Sequence, residues 1–371
     1  MSDQLVARPT PVDDGAPNPS SSSAAGPPAD GGGTAERVRE LLGFRNISAV
    51  YILVILFVVF SLWIPDTFLT ATTWRTLIDS QSIVGLTAVA LVIPLAAGVF
   101  NLAVGHQVGA AGIIVGALLS KAGMSAPTAI ALALVAGLTI GLLCGLLIVR
   151  ARIDSFIATL GVSSLLAALV TAVSDGQQIL ELPQGFADLG TSTLFGVSYL
   201  TCPVVALILV SVAVWYVLER TPVGRRIYAT GGNIEAARLA GVKTSLVIVG
   251  SLMTCGAIAS IAGILVTARL ANADPTIGPS YLLPAFTAAF LGSTQFRGGR
   301  FNVWGTVLAV YVLAIGVKGL QLGGAPVWIP DAFNGASLLI AVGMAKFASP
   351  AKGTGTRSRL SAVRRLVGRR T

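Results

Sequence analysis

Acidic residues are scarce in this chain, 16 Asp and Glu among 371 residues, and histidine occurs once. Acid–base, nucleophilic or metal-assisted chemistry needs titratable groups gathered in one place, and no such gathering is visible. There is no His-Glu-x-x-His, no Gly-x-Ser-x-Gly and no pair of acids at helical spacing inside an apolar run. Gly241-Val242-Lys243-Thr244 ends like a phosphate-binding loop but lacks the glycine-rich cradle that would aim backbone N–H groups at phosphates. The three cysteines, Cys144, Cys202 and Cys255, show no paired spacing, which argues against a disulfide framework or a zinc site and leaves packing as their default role. The sequence is therefore not read as an enzyme, and no metal or cofactor is expected on it. Charge of either sign is short as well: 11% of residues are charged, against about 25% in an average soluble domain.

Apolar residues take up the difference. They make up 54% of the chain, and the mean hydropathy is +0.81, more apolar surface than one aqueous fold can hide. The bilayer is the expected solvent. The first charge-free run, Ile47 to Ile64, matches the roughly 17–25 residues needed to cross hydrocarbon. Between Gln81 and Val149 the only formal charge is Lys121, and the stretch has room for three crossings with joints at Gly98 to Gly105 and Lys121 to Pro127. Further runs lie near 156–173, 195–218, 246–267, 281–293, 301–320 and 332–346. The expected fold is all-α, a polytopic membrane protein of about ten transmembrane helices, some of them broken or short. Glycines at Gly109, Gly112 and Gly116 are spaced for close helix approach.

The net charge of +9 is not a nucleic-acid footprint, because the basic residues crowd the ends of apolar runs rather than covering a soluble face. From Lys346 to the terminus there are eight Lys and Arg and no acid, a segment suited to anionic lipid. Loops kept in the cytoplasm carry excess Lys and Arg. Placing both termini there leaves only Arg75, Lys121, Arg269 and Lys318 on the other side. The 174–193 loop, with Asp175, Glu181 and Asp188 and no basic residue, then faces outward. Residues 1–34, rich in Pro, Ser, Gly, Ala and Asp, are expected to be a disordered cytoplasmic tail without a secretory signal. Residues 35–348 form the membrane domain and 349–371 a basic cytoplasmic tail.

The longest hydrophilic segment between runs is 219–245. Gly231-Gly232 permits a tight turn, Asn233 suits a helix N-cap, Glu235 complements the positive end of the helix dipole, and Gly241 suits a left-handed C-terminal cap. A two-turn helix, Ile234 to Ala240, is expected. Its small, flat surface fits a groove on another protein; the alternative is an inert helix on a connecting loop.

Here the sequence resembles the permease family of ATP-binding-cassette importers, in its ribose-type branch. The resemblance rests on Thr221-Pro222-Val223-Gly224-Arg225-Arg226-Ile227-Tyr228-Ala229-Thr230-Gly231-Gly232-Asn233 followed by Glu235-Ala236-Ala237-Arg238-Leu239-Ala240-Gly241. Phe100-Asn101-Leu102-Ala103-Val104-Gly105, Phe156-Ile157-Ala158-Thr159-Leu160-Gly161, Gly298-Gly299-Arg300, Gly305-Thr306 and Phe333-Asn334-Gly335-Ala336 follow in the family's order, so that residues 47–346 are covered. The resemblance implies a coupling role toward an ATPase for Gly224, Arg225, Gly232, Asn233, Glu235, Ala236, Ala237, Arg238 and Gly241. It also implies partners: an ATP-binding-cassette ATPase subunit that holds the ATP and magnesium, an extracytoplasmic solute-binding protein, and a second permease subunit, in the cytoplasmic membrane of a bacterium. The departures are Asn101 where the family usually has Asp, Ala103 and His106 in place of a Ser-x-x-Ser pattern, and no acid in Tyr281-Leu282-Leu283-Pro284.

Polar groups at membrane depth are costly unless paired or hydrated, which singles out Asn101, His106, Gln107 and Thr159, with Phe156 beside them, as the candidate translocation path. Neutral donors and acceptors suit an uncharged polyhydroxylated solute. Bonding between helices is the alternative role, for His106 above all. A secondary transporter would need ion-coupling carboxylates within the runs, and the sequence has almost none.

Overall fold

Inside hydrocarbon every backbone N–H and C=O must find a partner within the chain, and a helix supplies all of them. The computed structural model describes residues 48–193, 199–295 and 299–348, and the regular structure there is helical. The expected tails, 1–34 and 349–371, lie outside the described residues. The helices are α1 (Ser48–Trp63), α2 (Pro65–Phe68), α3 (Ala71–Ala96), α4 (Val104–Ser120), α5 (Ala126–Val149), α6 (Ser155–Ser174), α7 (Gln184–Thr191), α8 (Cys202–Arg220), α9 (Pro222–Gly232), α10 (Ile234–Leu239), α11 (Thr244–Leu270), α12 (Ile277–Ser280), α13 (Leu282–Gln295), α14 (Val303–Leu322) and α15 (Ile329–Ala348). Two isolated bridges, Ile179 with Ala273 and Thr193 with Thr201, are the only extended pairings among the described residues.

Each of the ten apolar runs coincides with a helix. Six of them, α3, α5, α6, α8, α11 and α14, are long and apolar enough to cross a bilayer on their own, and shorter apolar stretches lie in α1, α4 and α15. At 1.5 Å per residue, the 14 residues of α13 reach about 21 Å, short of a hydrocarbon core of about 30 Å.

Two helices form the centre. From Ser82 to Ala96, α3 is buried on nearly every side, and α11 is buried over most of its second half. The α5 face that meets α11 carries Gly137, Gly141 and Gly145, each of which backs onto α11 atoms near Ser260, Leu252 and Val249. Small residues at this spacing let helix backbones approach in a medium that offers no hydrophobic drive for helix association. Gly109, Gly112 and Gly116 do the same for α4, against Gly278, Thr267 and Ala273.

Two expectations need correction. The 174–193 segment is not an open loop, because α7 folds within it and buries Phe186 completely. Gly231-Gly232 is not a tight turn, because both residues close α9, an 11-residue helix that fills the first half of the hydrophilic segment. Arg269 stands in the last turn of α11 and pairs with Asp79 of α3. Thr201 also donates its hydroxyl to Asp79, at 2.6 Å, so one partly buried carboxylate ties α3, α11 and the start of α8 together.

Candidate functional site

α3 ends for local reasons. Pro94 cannot bond the Ala90 carbonyl, and Gly98, at φ +80°, takes the left-handed conformation that turns the chain out of the helix. Residues 97–103 form a break, and α4 restarts at Val104. Neighbours satisfy the backbone of this break: Phe100 N–H donates to Ser155 Oγ at 3.3 Å and Leu102 N–H to Thr159 Oγ1 at 3.1 Å. Asn101 accepts from Ala103 N–H through Oδ1 at 3.2 Å, while its Nδ2 donates to Gln107 Oε1 at 3.1 Å and to Cys255 Sγ at 3.2 Å.

Four of the five expected path residues are thus brought together, and Phe156 sits beside them. Asn101, Gln107 and Thr159 are fully buried; Asn101 in the break bonds Gln107 of α4 and Cys255 of α11, and Thr159 of α6 accepts from the break. His106 is half-buried, with Nδ1 2.7 Å from Ser163 Oγ on α6. Phe156 is exposed, and α6 presents Ile157, Leu160 and Leu165 as well. Gln107 Nε2 is buried with no partner, so this polar cluster holds one spare donor. Its members bond α4, α6 and α11 to each other here. Cys255, read from sequence as plain packing, is one of those bonding partners.

An aromatic file extends from the break. Phe100 stacks on Phe290 at 6.5 Å between ring centroids, Phe286 stacks on Phe290 at 6.3 Å, and Phe301 meets Phe290 edge-on at 5.4 Å. The start of α13 also meets α4, with Leu282 against Gly105. Two short helices therefore begin side by side next to the break, the arrangement in which unwound backbone is tolerated at membrane depth.

The hydrophilic segment forms a second site. Thr221 caps α9, accepting from Gly224 N–H at 3.5 Å. Gly224 is buried where a Cβ would overlap the Leu218 backbone, which folds α9 sharply back from α8. Asn233 Oδ1 accepts from Glu235 N–H at 3.1 Å and Ala236 N–H at 3.0 Å, so it caps α10 as its sequence position predicts. Gly241 ends the unit at φ +83°. α10 is Ile234–Leu239, one residue shorter than expected. Ala237 alone turns inward; Arg225, Gly232, Glu235, Ala236 and Arg238 are exposed, and Leu239 is 89% exposed.

The sequence did not reveal how this unit is anchored. Gly231 lies against the Ala96 carbonyl and the backbone of Gly98, so the end of α9 rests on the break that carries Asn101. On its other side Tyr228 donates its hydroxyl to Phe301 O at 2.7 Å, and the Arg300 guanidinium sits 4.1 Å over the Tyr228 ring. The α9–α10 unit thus touches both the break at 97–103 and the loop before α14. Gly231-Gly232 was a visible signal, but its geometry mixes one glycine needed for contact with one that meets nothing within 4 Å.

A multi-pass helical bundle with a broken helix and an exposed helical unit resting on that break defines a membrane transport permease. Residues 75–342 match the family described as branched-chain amino acid transport system / permease component, and the chain belongs to that family. It is 30% identical to the ribose import permease protein RbsC of Escherichia coli strain K12 over 80% of this chain and 91% of that protein. It is also 30% identical to the L-arabinose ABC transporter permease protein AraH of Azospirillum brasilense over 88% and 93%. The autoinducer 2 import system permease protein LsrD of Photorhabdus luminescens is 29% identical over 70% and 78%. No solved structure matches.

Proposed function

We propose that this chain is the membrane-spanning permease subunit of an ATP-driven importer, carrying a monosaccharide across the cytoplasmic membrane of a bacterium. ATP and magnesium are bound by a separate ATPase subunit that docks on α10, a solute-binding protein delivers the sugar outside, and a second permease subunit completes the path. The observation that carries the reading is α10 itself: a capped, almost fully exposed helix offering Leu239 beside Arg238, mounted on α9, which bears on the break at 97–103 and on the loop before α14. Rigid-body motion imposed on α10 would pass through α9 to the break at 97–103 and to the loop before α14.

Similarity to permeases named for ribose and arabinose import supports a sugar. The polar groups at the break, Asn101, His106, Gln107 and Thr159, offer hydrogen bonds without requiring charge, which suits a hydroxylated neutral solute. The path residues bond helices together in the closed arrangement and exchange those bonds for solute hydroxyls when the interface opens, beginning from the spare Gln107 donor.

Co-expression with the candidate ATPase tests this. The intact chain is expected to retain the ATPase through purification, and Glu235→Arg, which reverses charge at the N-terminal end of α10, is expected to abolish ATP-dependent sugar uptake while the chain still inserts in the membrane. If no ATPase associates and Glu235→Arg leaves uptake unchanged, the reading is wrong.

A further inference from the structure

α8 and α11 diverge toward the end of the bundle that carries α9 and α10, leaving a wedge of about 960 Å³ between them. Apart from Ser251 and Thr254, whose hydroxyls donate to carbonyls of their own helix, its walls are apolar: Val214, Val217 and Leu218 on one side, Leu246 and Ile258 on the other, with Ile93 of α3 at the back. Where α9 and the 240–243 loop close the wedge, its lining changes character. The two ionisable residues among all those lining it are Arg226 and Lys243, both cations and both exposed. No acid lines it. Trp215 and Trp304 lie with ring centroids 6.3 Å apart, and the Arg220 guanidinium sits 5.6 Å from the Trp215 ring. These indole and guanidinium groups mark the level of the lipid headgroups. An apolar slot open to the bilayer, capped at headgroup height by two cations, matches one ligand chemistry: an acyl chain joined to an anionic head.

We propose that the wedge between α8 and α11 binds an anionic phospholipid, its acyl chain against Val217, Leu246 and Ile93 and its phosphate between Arg226 and Lys243. Neither cation is among the residues assigned to ATPase docking, and the inference stands whether or not that assignment holds. Basic pockets between transmembrane helices attract such headgroups. The lipid fills a gap that would otherwise leave the α8 to α9 corner unsupported, and it fastens α9 to the membrane surface.

Native mass spectrometry of the delipidated full-length chain tests this, titrated with phosphatidylglycerol or with phosphatidylethanolamine of the same acyl composition. Preferential binding of one phosphatidylglycerol is expected, on the order of tenfold. The double variant Arg226→Gln, Lys243→Gln should lose that preference, whereas Arg75→Gln, remote from the wedge, should keep it. Gly250→Leu fills the wall with both cations in place; a Cβ at Gly250 meets nothing within 4 Å, so the fold tolerates it, and binding of that lipid should fall. Equal binding of the two lipids overturns the proposal. So does a preference that survives the double variant or that Arg75→Gln abolishes equally. If Gly250→Leu dissociates a dimer and leaves lipid binding intact, the wedge holds a second copy instead and the proposal fails.

Discussion

Asn101 shows how much one side chain does at membrane depth. Its carbonyl oxygen holds Ala103 N–H and its amide reaches Gln107 and Cys255, so it stabilises the start of α4 and links it to α11. Asn101→Leu removes all three bonds. A buried bond of this kind contributes about 1 kcal/mol, and double-mutant cycles between membrane helices average nearer half that. The variant is expected to lose about 1–2 kcal/mol of stability in detergent, to exchange amide hydrogens faster over 97–107, and to import solute poorly while still capturing the ATPase. Normal transport with an unshifted melting curve would remove Asn101 from the path. The residue was conspicuous in the sequence as a polar group in an apolar run; its bond to Cys255, 154 positions away, had no local signal.

At the scale of elements, α9 matters more than the hydrophilic segment suggested. The cap at Asn233, the helix after it and the glycine that ends it are all visible in the sequence, because capping is a contest between a side chain and its own backbone within a few residues. The existence of α9 was hidden, since glycines at 231 and 232 lower helix propensity, and only contact with the break explains Gly231. Gly231→Val places branched carbons against the Ala96 carbonyl. It is expected to cost about 1–3 kcal/mol by overpacking, read as a lower melting temperature, and to uncouple uptake from ATP hydrolysis by lifting α9 off the break. Gly335→Ala on α15, where a Cβ meets nothing within 4 Å, should leave stability within about 0.5 kcal/mol of the parent, read as a nearly unchanged melting temperature.

For the whole molecule, the Asp79–Arg269 pair deserves weight because it joins helices 190 residues apart in sequence. The side chains are 15% and 23% exposed, so partial hydration reduces the large penalty of a fully buried unpaired charge. Asp79→Asn and Arg269→Gln are each expected to destabilise the purified chain by about 1–3 kcal/mol. The double variant should lose less than the sum, the signature of direct coupling. Additive losses in thermal melts would mean that the two residues act separately.

The sequence by itself determined that this is a helical membrane protein, where its apolar runs lie, that a joint falls at Gly98 to Gly105, and how α10 is capped. Those features follow from composition and from interactions spanning a few residues. Only the tertiary structure decided that Gly231 rests on Gly98, that Asn101 bonds Cys255, that Asp79 meets Arg269, and that α8 and α11 part to leave a basic-mouthed wedge. The physical reason is the solvent. Lipid tails and a protein interior are equally apolar, so hydropathy marks what enters the bilayer without marking which face of a helix meets which neighbour.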